Sequence, residues 1–275
     1  MTTSAPNLSA HPRYVRWTAF LAKIRTRIDE ICAETEAGTR ALIAQDPTNP
    51  QALKTAQQAL NQRVENIRRK IEKAWSEEEL DRIKPTADGP AVAAPESAYD
   101  EWHATERYLS ETWTTCKVRC MAEFLRAMWP HVEAALAKPI PCTRCGAALT
   151  PSARHTSETV TCAHCQAVNQ CIPEPLVYAW FADAPHNLGL EEVLTKRYAV
   201  LRAGEDAAQA REAAYRRTGE RPPEPLASKQ RREAMAREYY VAFAEAKSRV
   251  RPAPAEEQSA EVERSMAAFR QSLED

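Results

Sequence analysis

A chain of 275 residues can fold as one large domain or two modest ones and bury a substantial core. Its net charge of −1 gives no overall attraction to nucleic acid or to an anionic membrane, and no apolar run approaches the roughly 18 residues of a spanning helix. Only 6 glycines argue against a barrel or sandwich full of sharp turns, while 44% hydrophobic residues with 7% aromatics point to helices packed through small side chains such as alanine.

Residues 1–10 are small and polar and are expected to fray. The next residues, with His11, Arg13, Arg16 and Trp17, hold no apolar core of a secretory signal. From Pro12, Trp17, Leu21, Ile24, Ile28 and Ile31 recur at spacings of four and three, which predicts a helix to about Gln45 that weakens near Gly38. Asp46 to Pro50 is a turn, with Asn49 as N-cap and Pro50 at the first helical position. A second helix carries Leu53, Gln57, Leu60, Val64, Ile67, Ile71 and Ala74 or Trp75 in a four-three repeat over three heptads, as in a coiled coil. The short turn makes the pair an antiparallel hairpin. Ser76 and Glu79 resemble a capping box that starts a short helix before Pro85 or marks a kink.

Residues 85–98, with three prolines and one glycine, read as a linker. A third helix is expected from about Ser97 to Trp129, with Trp102, Leu109, Trp113, Cys116, Cys120 and Phe124 in its apolar stripe. Pro130 should kink it or begin a new short helix to about Ala137. Leu176 to Phe181 fits helix or strand, and Pro175 favours a helix start. Asp183 to Asn187 reads as a turn. Three further helices follow: about 190–215, closed by Gly219 and Arg221–Pro225; about 226–249; and about 256–273. No fixed-period repeat is present.

Between Pro139 and Pro173 lie two Cys-x-x-Cys pairs, Cys142/Cys145 and Cys162/Cys165, and sixteen residues separate the inner two cysteines. Two tight turns of this kind present four thiolates to one tetrahedral metal ion, with backbone N–H groups pointing at the sulfurs. Gly146 suits a turn that needs positive φ. Ala147 to Thr161 is expected to hold two short strands, turning near Pro151 to Arg154. A core this small needs metal for stability. The segment resembles the zinc-ribbon class, although Gln166 follows the second pair where glycine is frequent. The resemblance covers about 30 residues and implies a fold for the insert, not a role. It implies one structural Zn²⁺ per chain, and four thiolates would leave no open position for substrate. His164 could in principle replace a cysteine, but the four-thiolate set is complete. His155 reads as an exposed polar residue, and Cys171 as a spare thiol or small core residue.

The expected fold is therefore mainly α: a helical hairpin and helical bundle with a small inserted β zinc ribbon. Its parts are an N-terminal hairpin (1–84), a linker (85–98), a central helix pair (99–138), the ribbon (139–172) and a C-terminal helical region (173–275). Cysteine spacing of this type fits a reducing compartment, hence a cytoplasmic location without a membrane.

Three functions compete. The first is a non-catalytic adaptor or assembly protein. Its amphipathic helices bind a protein partner or a second copy, and its ribbon fixes an angle between elements or presents the loop Ala147–Thr161. The second is nucleic-acid binding through residues 196–251, where fourteen basic and eight acidic side chains include Arg216, Arg217, Arg231 and Arg232. The tail 252–275 carries six acidic and two basic side chains, which offers the basic helices an acidic face of their own chain as the alternative to nucleic acid. The third is a metal-dependent enzyme built from Glu101, His103, Glu106, Glu123, His131 or His186, none of which stands in a recognised metal-ligand spacing. Cys116 and Cys120, one helical turn apart, offer a second metal site or a disulfide, or simply fill a core.

Overall fold

The computed structural model describes residues 12–77 and 93–273, with side-chain environments for 14–75, 98–215 and 218–273. These residues form six α-helices and two small two-stranded antiparallel sheets, so the fold is mainly α with a strand insert. Among them, no helix is long and apolar enough to cross a membrane. The chain divides into two compact units, Met1–Cys120 and Met121–Asp275.

The first unit is built on α1 (Pro12–Gln45), α2 (Pro50–Glu77) and the N-terminal part of α3 (Ala93–Ala137). The turn between α1 and α2 is local chemistry: Asp46 accepts from the Thr48 N–H and hydroxyl, and the Asn49 side chain caps the Ala52 N–H at 3.2 Å. The heptad stripe buries as expected. Trp17, Leu21, Ile28, Ile31, Val64 and Ile71 are each exposed by 1% or less.

What covers that stripe is the same chain. Leu109, Trp113, Cys116 and Cys120 of α3 complete the cluster, so the hairpin needs no second chain to bury its apolar face. Side-chain bonds fix the register. The Trp17 indole N–H donates to the Ala98 carbonyl at 3.1 Å, Arg25 donates to Thr105 and Glu101, and Tyr108 donates to Asp29. The linker expected at 85–98 lies outside the described residues up to 92, and α3 already starts at Ala93. The proposed cap at Ser76 and Glu79 also falls largely outside them.

The second unit contains the end of α3, four short strands, α4 (Pro175–Thr218), α5 (Leu226–Val250) and α6 (Ala255–Gln271). Both helices run through an internal proline. No new helix begins at Pro130, since α3 continues to Ala137, and the turn expected at Asp183–Asn187 is helical, because α4 runs through Pro185. An internal proline removes one hydrogen bond. Both helices recover that loss through burial around the proline: Leu125, Met128, Val132 and Ala184 are fully buried. Trp180 locks the two together, donating its indole N–H to the Leu125 carbonyl at 2.9 Å and packing its ring 4.5 Å from Trp129.

Helix α4 ends where the sequence indicates, with Gly219 in the left-handed region (φ 77°) and its N–H on the Tyr215 carbonyl. Helices α5 and α6 each begin directly after a proline, Pro225 and Pro254. Small residues set the spacing, as the alanine content implies. A Cβ on Gly189 would lie 3.1 Å from the Lys247 backbone nitrogen, and Ala236 and Ala244 are buried with Val262 and Met266.

A candidate metal centre

The cysteine insert folds as two hairpins. β1 (Ile140–Pro141) pairs with β2 (Ala148–Leu149), and β3 (Glu158–Thr161) with β4 (Val168–Cys171). Each hairpin closes around one Cys-x-x-Cys turn. The two short strands expected within Ala147–Thr161 are present as β2 and β3, but they do not pair with each other: each pairs outward across its own cysteine turn, with β1 and β4, which the sequence does not announce.

The two turns are near copies. The Cys142 N–H donates to the Ala147 carbonyl (2.8 Å), and the Gly146 N–H to the Cys142 carbonyl (2.9 Å). The Cys162 N–H likewise donates to Ala167 (2.9 Å), and the Gln166 N–H to Cys162 (3.0 Å). Equivalent positions take equivalent conformations: Gly146 has φ 74° and Gln166 φ 59°. The second turn thus makes the same left-handed step without glycine, at a strain of about 1 kcal/mol or more.

These turns bring four sulfurs together. Cys142 Sγ lies 3.7 Å from Cys165 Sγ, Cys145 Sγ lies 3.7 Å from Cys162 Sγ, and all four lie within 4.8 Å of one another. A tetrahedral ion with metal–sulfur bonds of about 2.3 Å has sulfur–sulfur edges of about 3.8 Å. The four-cysteine cluster fits such an ion and is consistent with a zinc-binding module. Among the described residues it is the group of three or more His, Cys, Asp or Glu side chains close enough to hold a metal ion.

The surrounding dipoles favour thiolate. The Arg144 and Cys145 N–H groups, helped by Asn169, hold the Cys142 thiol down to about 6. The Cys165 and His164 N–H groups lower Cys162. Cys165 goes the other way: its bond from the Ala167 N–H is outweighed by desolvation and by its thiol neighbours, which push it up to about 12. Four crowded thiols cannot all ionise unless a cation joins them.

Asn169 is a contributor that the sequence reading missed. It is 3% exposed on β4 and reaches across to the first turn. Its Oδ1 accepts from the Thr143 N–H and hydroxyl, both at 2.9 Å. Its Nδ2 donates to the Ala167 carbonyl at 2.9 Å and to Cys142 Sγ at 3.5 Å. One amide thereby ties the two turns to each other and to a ligand sulfur. Its sequence signal is faint: a polar residue in inward phase with Cys171, which is buried in the ribbon core.

The ribbon is anchored to the helices at both ends. The Arg154 guanidinium donates to the Leu136 and Lys138 carbonyls, capping the last turn of α3. Lys138 pairs with Glu174 at 3.2 Å, and the His155 ring stacks 4.5 Å from Phe181 on α4. The middle of the Ala147–Thr161 loop therefore faces its own body, and His155 is a packing residue rather than an exposed one. His164 is exposed on its turn.

The other sequence candidates lie elsewhere. Cys116 and Cys120 are free thiols in the first core, beside Cys32. The Cys116 S–H donates to the Cys32 carbonyl at 3.7 Å. Its bond with Cys120 lowers it, but Cys32 and burial outweigh that and push it up to about 12. Cys120 is raised by its bond with Cys116 and by burial. Such thiols are core residues and poor ligands. His103 belongs to the first unit, while His131 and His186 belong to the second, where His131 is exposed and His186 packs edge-on to Phe243.

Of the four arginines considered for nucleic acid, Arg216 and Arg217 have side chains outside the described residues, and Arg231 is exposed. Arg232 is committed to a buried pair with Glu224 at 2.7 Å. Other cations of the region pair within the chain: Lys196 with Glu238, Arg237 with Glu263, Lys247 with Glu261 and Arg249 with Glu192. No family model, no curated protein and no solved structure matches this chain.

Proposed function

We propose that the chain is a non-catalytic adaptor or assembly protein whose ribbon, stabilised by one structural Zn²⁺ at Cys142, Cys145, Cys162 and Cys165, docks an apolar surface of another protein chain. The observation that carries the reading is the two-faced character of the second hairpin. On β4, Asn169 and Cys171 point inward to the metal cluster. Val168 and Ile172 stand outward, each 68% exposed, and Tyr178 just beyond is 64% exposed. Large aliphatic side chains uncovered on a strand and just beyond its end are what a partner surface would cover. Four thiolates saturate zinc, so the ion supplies shape and not hydrolysis.

The contact is placed on the ribbon rather than on the α1–α2 stripe, which α3 already covers. One test serves for a different protein and for a second copy of this chain. Val168→Glu with Ile172→Glu should leave zinc content and melting temperature unchanged. It should abolish the protein that co-purifies with the wild type in quantitative affinity purification, or the dimer in native mass spectrometry. An identical set of partners and subunit count in both proteins would sink the reading. Nucleic acid binding gains no comparable support: of the arginines it would use, Arg232 is committed to Glu224, and among the described residues no basic cluster is set beside the cysteine turns.

A further inference from the structure

A groove of about 590 Å³ lies within the second unit, lined by α4, α5 and the end of α6. It is remote in sequence from the cysteine cluster, and the adaptor reading does not use it. Its volume falls in the range of small-molecule sites.

Helices α4 and α5 run antiparallel here: Gly189 meets Phe243 and Lys247, Lys196 meets Glu238, and Gly204 meets Arg232. One wall is a run of rings. His186 lies 5.4 Å edge-on to Phe243, Phe243 is parallel to Tyr239 within 6° at 5.9 Å, and Tyr239 lies 5.0 Å from Tyr240. Of these, His186, Tyr239 and Tyr240 line the groove, and Phe269 of α6 joins them.

Two cations line the same groove. Arg232 is held by Glu224, yet its buried Nε–H has no hydrogen-bond partner. Gly204 makes room for it, since a Cβ there would lie 3.3 Å from Nη2. Arg197 is different: among the described residues, no carboxylate pairs with it. The acidic residue of the lining, Glu205, sits eight positions further along α4, about 12 Å along the axis at 1.5 Å per residue. Arg197 shares the groove lining with the rings of His186, Tyr239, Tyr240 and Phe269.

We infer that this groove binds a small aromatic anion, with its acidic group on Arg197 and its ring against Tyr239 and Phe269. A guanidinium without a carboxylate partner in a groove lined by aromatic rings matches a carboxylate or sulfonate carried on a flat apolar body. The unsatisfied Arg232 Nε–H offers a second oxygen acceptor a place.

The test is isothermal titration of the full chain with naphthalene-2-sulfonate. Saturable one-to-one binding is expected, at least tenfold weaker for the uncharged naphthalene-2-sulfonamide. Arg197→Gln should weaken the sulfonate at least tenfold. Arg231→Gln, outside the groove, should leave it unchanged. Ser272→Trp, which fills the groove from its rim without touching a charge, should remove binding in a protein of wild-type melting temperature. No saturable heat at millimolar sulfonate, equal affinity for the sulfonamide, or indifference to Arg197→Gln or Ser272→Trp would each overturn the assignment.

Discussion

Removing the Asn169 side chain should weaken metal binding about tenfold or somewhat more. Asn169→Ala deletes four hydrogen bonds, but they do not count equally. The two from Thr143 and the one to Ala167 end on exposed or half-exposed residues, where water can replace the amide. Their net worth is therefore near the low end of about 0.5–1.5 kcal/mol each, and much of it affects the apo and metal-bound forms alike. The Nδ2–H to Cys142 Sγ bond is charge-assisted only when the sulfur is a thiolate. At 3.5 Å it belongs near the lower bound of about 1.5–3 kcal/mol. Since about 1.4 kcal/mol is a factor of ten, this one bond accounts for the expected loss. Asn169→Asp should be worse, because it keeps the acceptor for Thr143 but sets a negative oxygen against the sulfur. The assay is competition for Zn²⁺ against a chromophoric chelator at pH 7.5, with Gln170→Ala as the exposed neighbour control. An affinity for Asn169→Ala within threefold of wild type would refute the argument.

Stripping the metal with a strong chelator should abolish amide-exchange protection between 140 and 171, where only short strands and a small cysteine-lined core remain, while α1 and α2 keep theirs; exchange mass spectrometry reads both. Ile28→Ala, at a fully buried position in the first core, should cost about 2–5 kcal/mol in urea denaturation. Glu106 sets a pH dependence. Burial raises its carboxyl above the ordinary value against the lowering effect of Arg68, so the stability it contributes is present in acid and is lost as pH rises through the folded value. Wild type should therefore lose ground to Glu106→Gln as urea titrations move from pH 4 to pH 7, and a pH-independent difference would contradict this.

The cysteine turns were legible because metal geometry constrains residue spacing so tightly that four positions suffice. The strands around them were not: β1 and β2 are two residues each and take their register from turn hydrogen bonds, not from any alternation of side chains. Gln166 illustrates the limit, since nothing in its type announces positive φ. Periodicity correctly marked Trp17, Leu21, Ile28 and Ile31 as one buried face, but a stripe cannot say what will cover it. That answer came from α3, eighty residues away in Ala98 and Trp113. Pro185 misled for the converse reason: local propensity favours a turn there, and burial on both sides overrides it. The pairing of Arg232 with Glu224 needed the Arg221–Pro225 turn to bring them together.

The salt bridge between Lys138 and Glu174 carries a wider consequence. The end of α3 and the start of α4 lie within side-chain reach of each other, and α4 then turns back along α3, with Trp180 on Leu125 and Arg126 on Glu191, so the cysteine insert occupies the place of a helix–helix loop. A short connector could close that gap. Lineages could gain, lose or exchange the insert as a cassette, and an engineer could do the same, with Arg154 and His155 the chief attachments to re-create on the receiving helices.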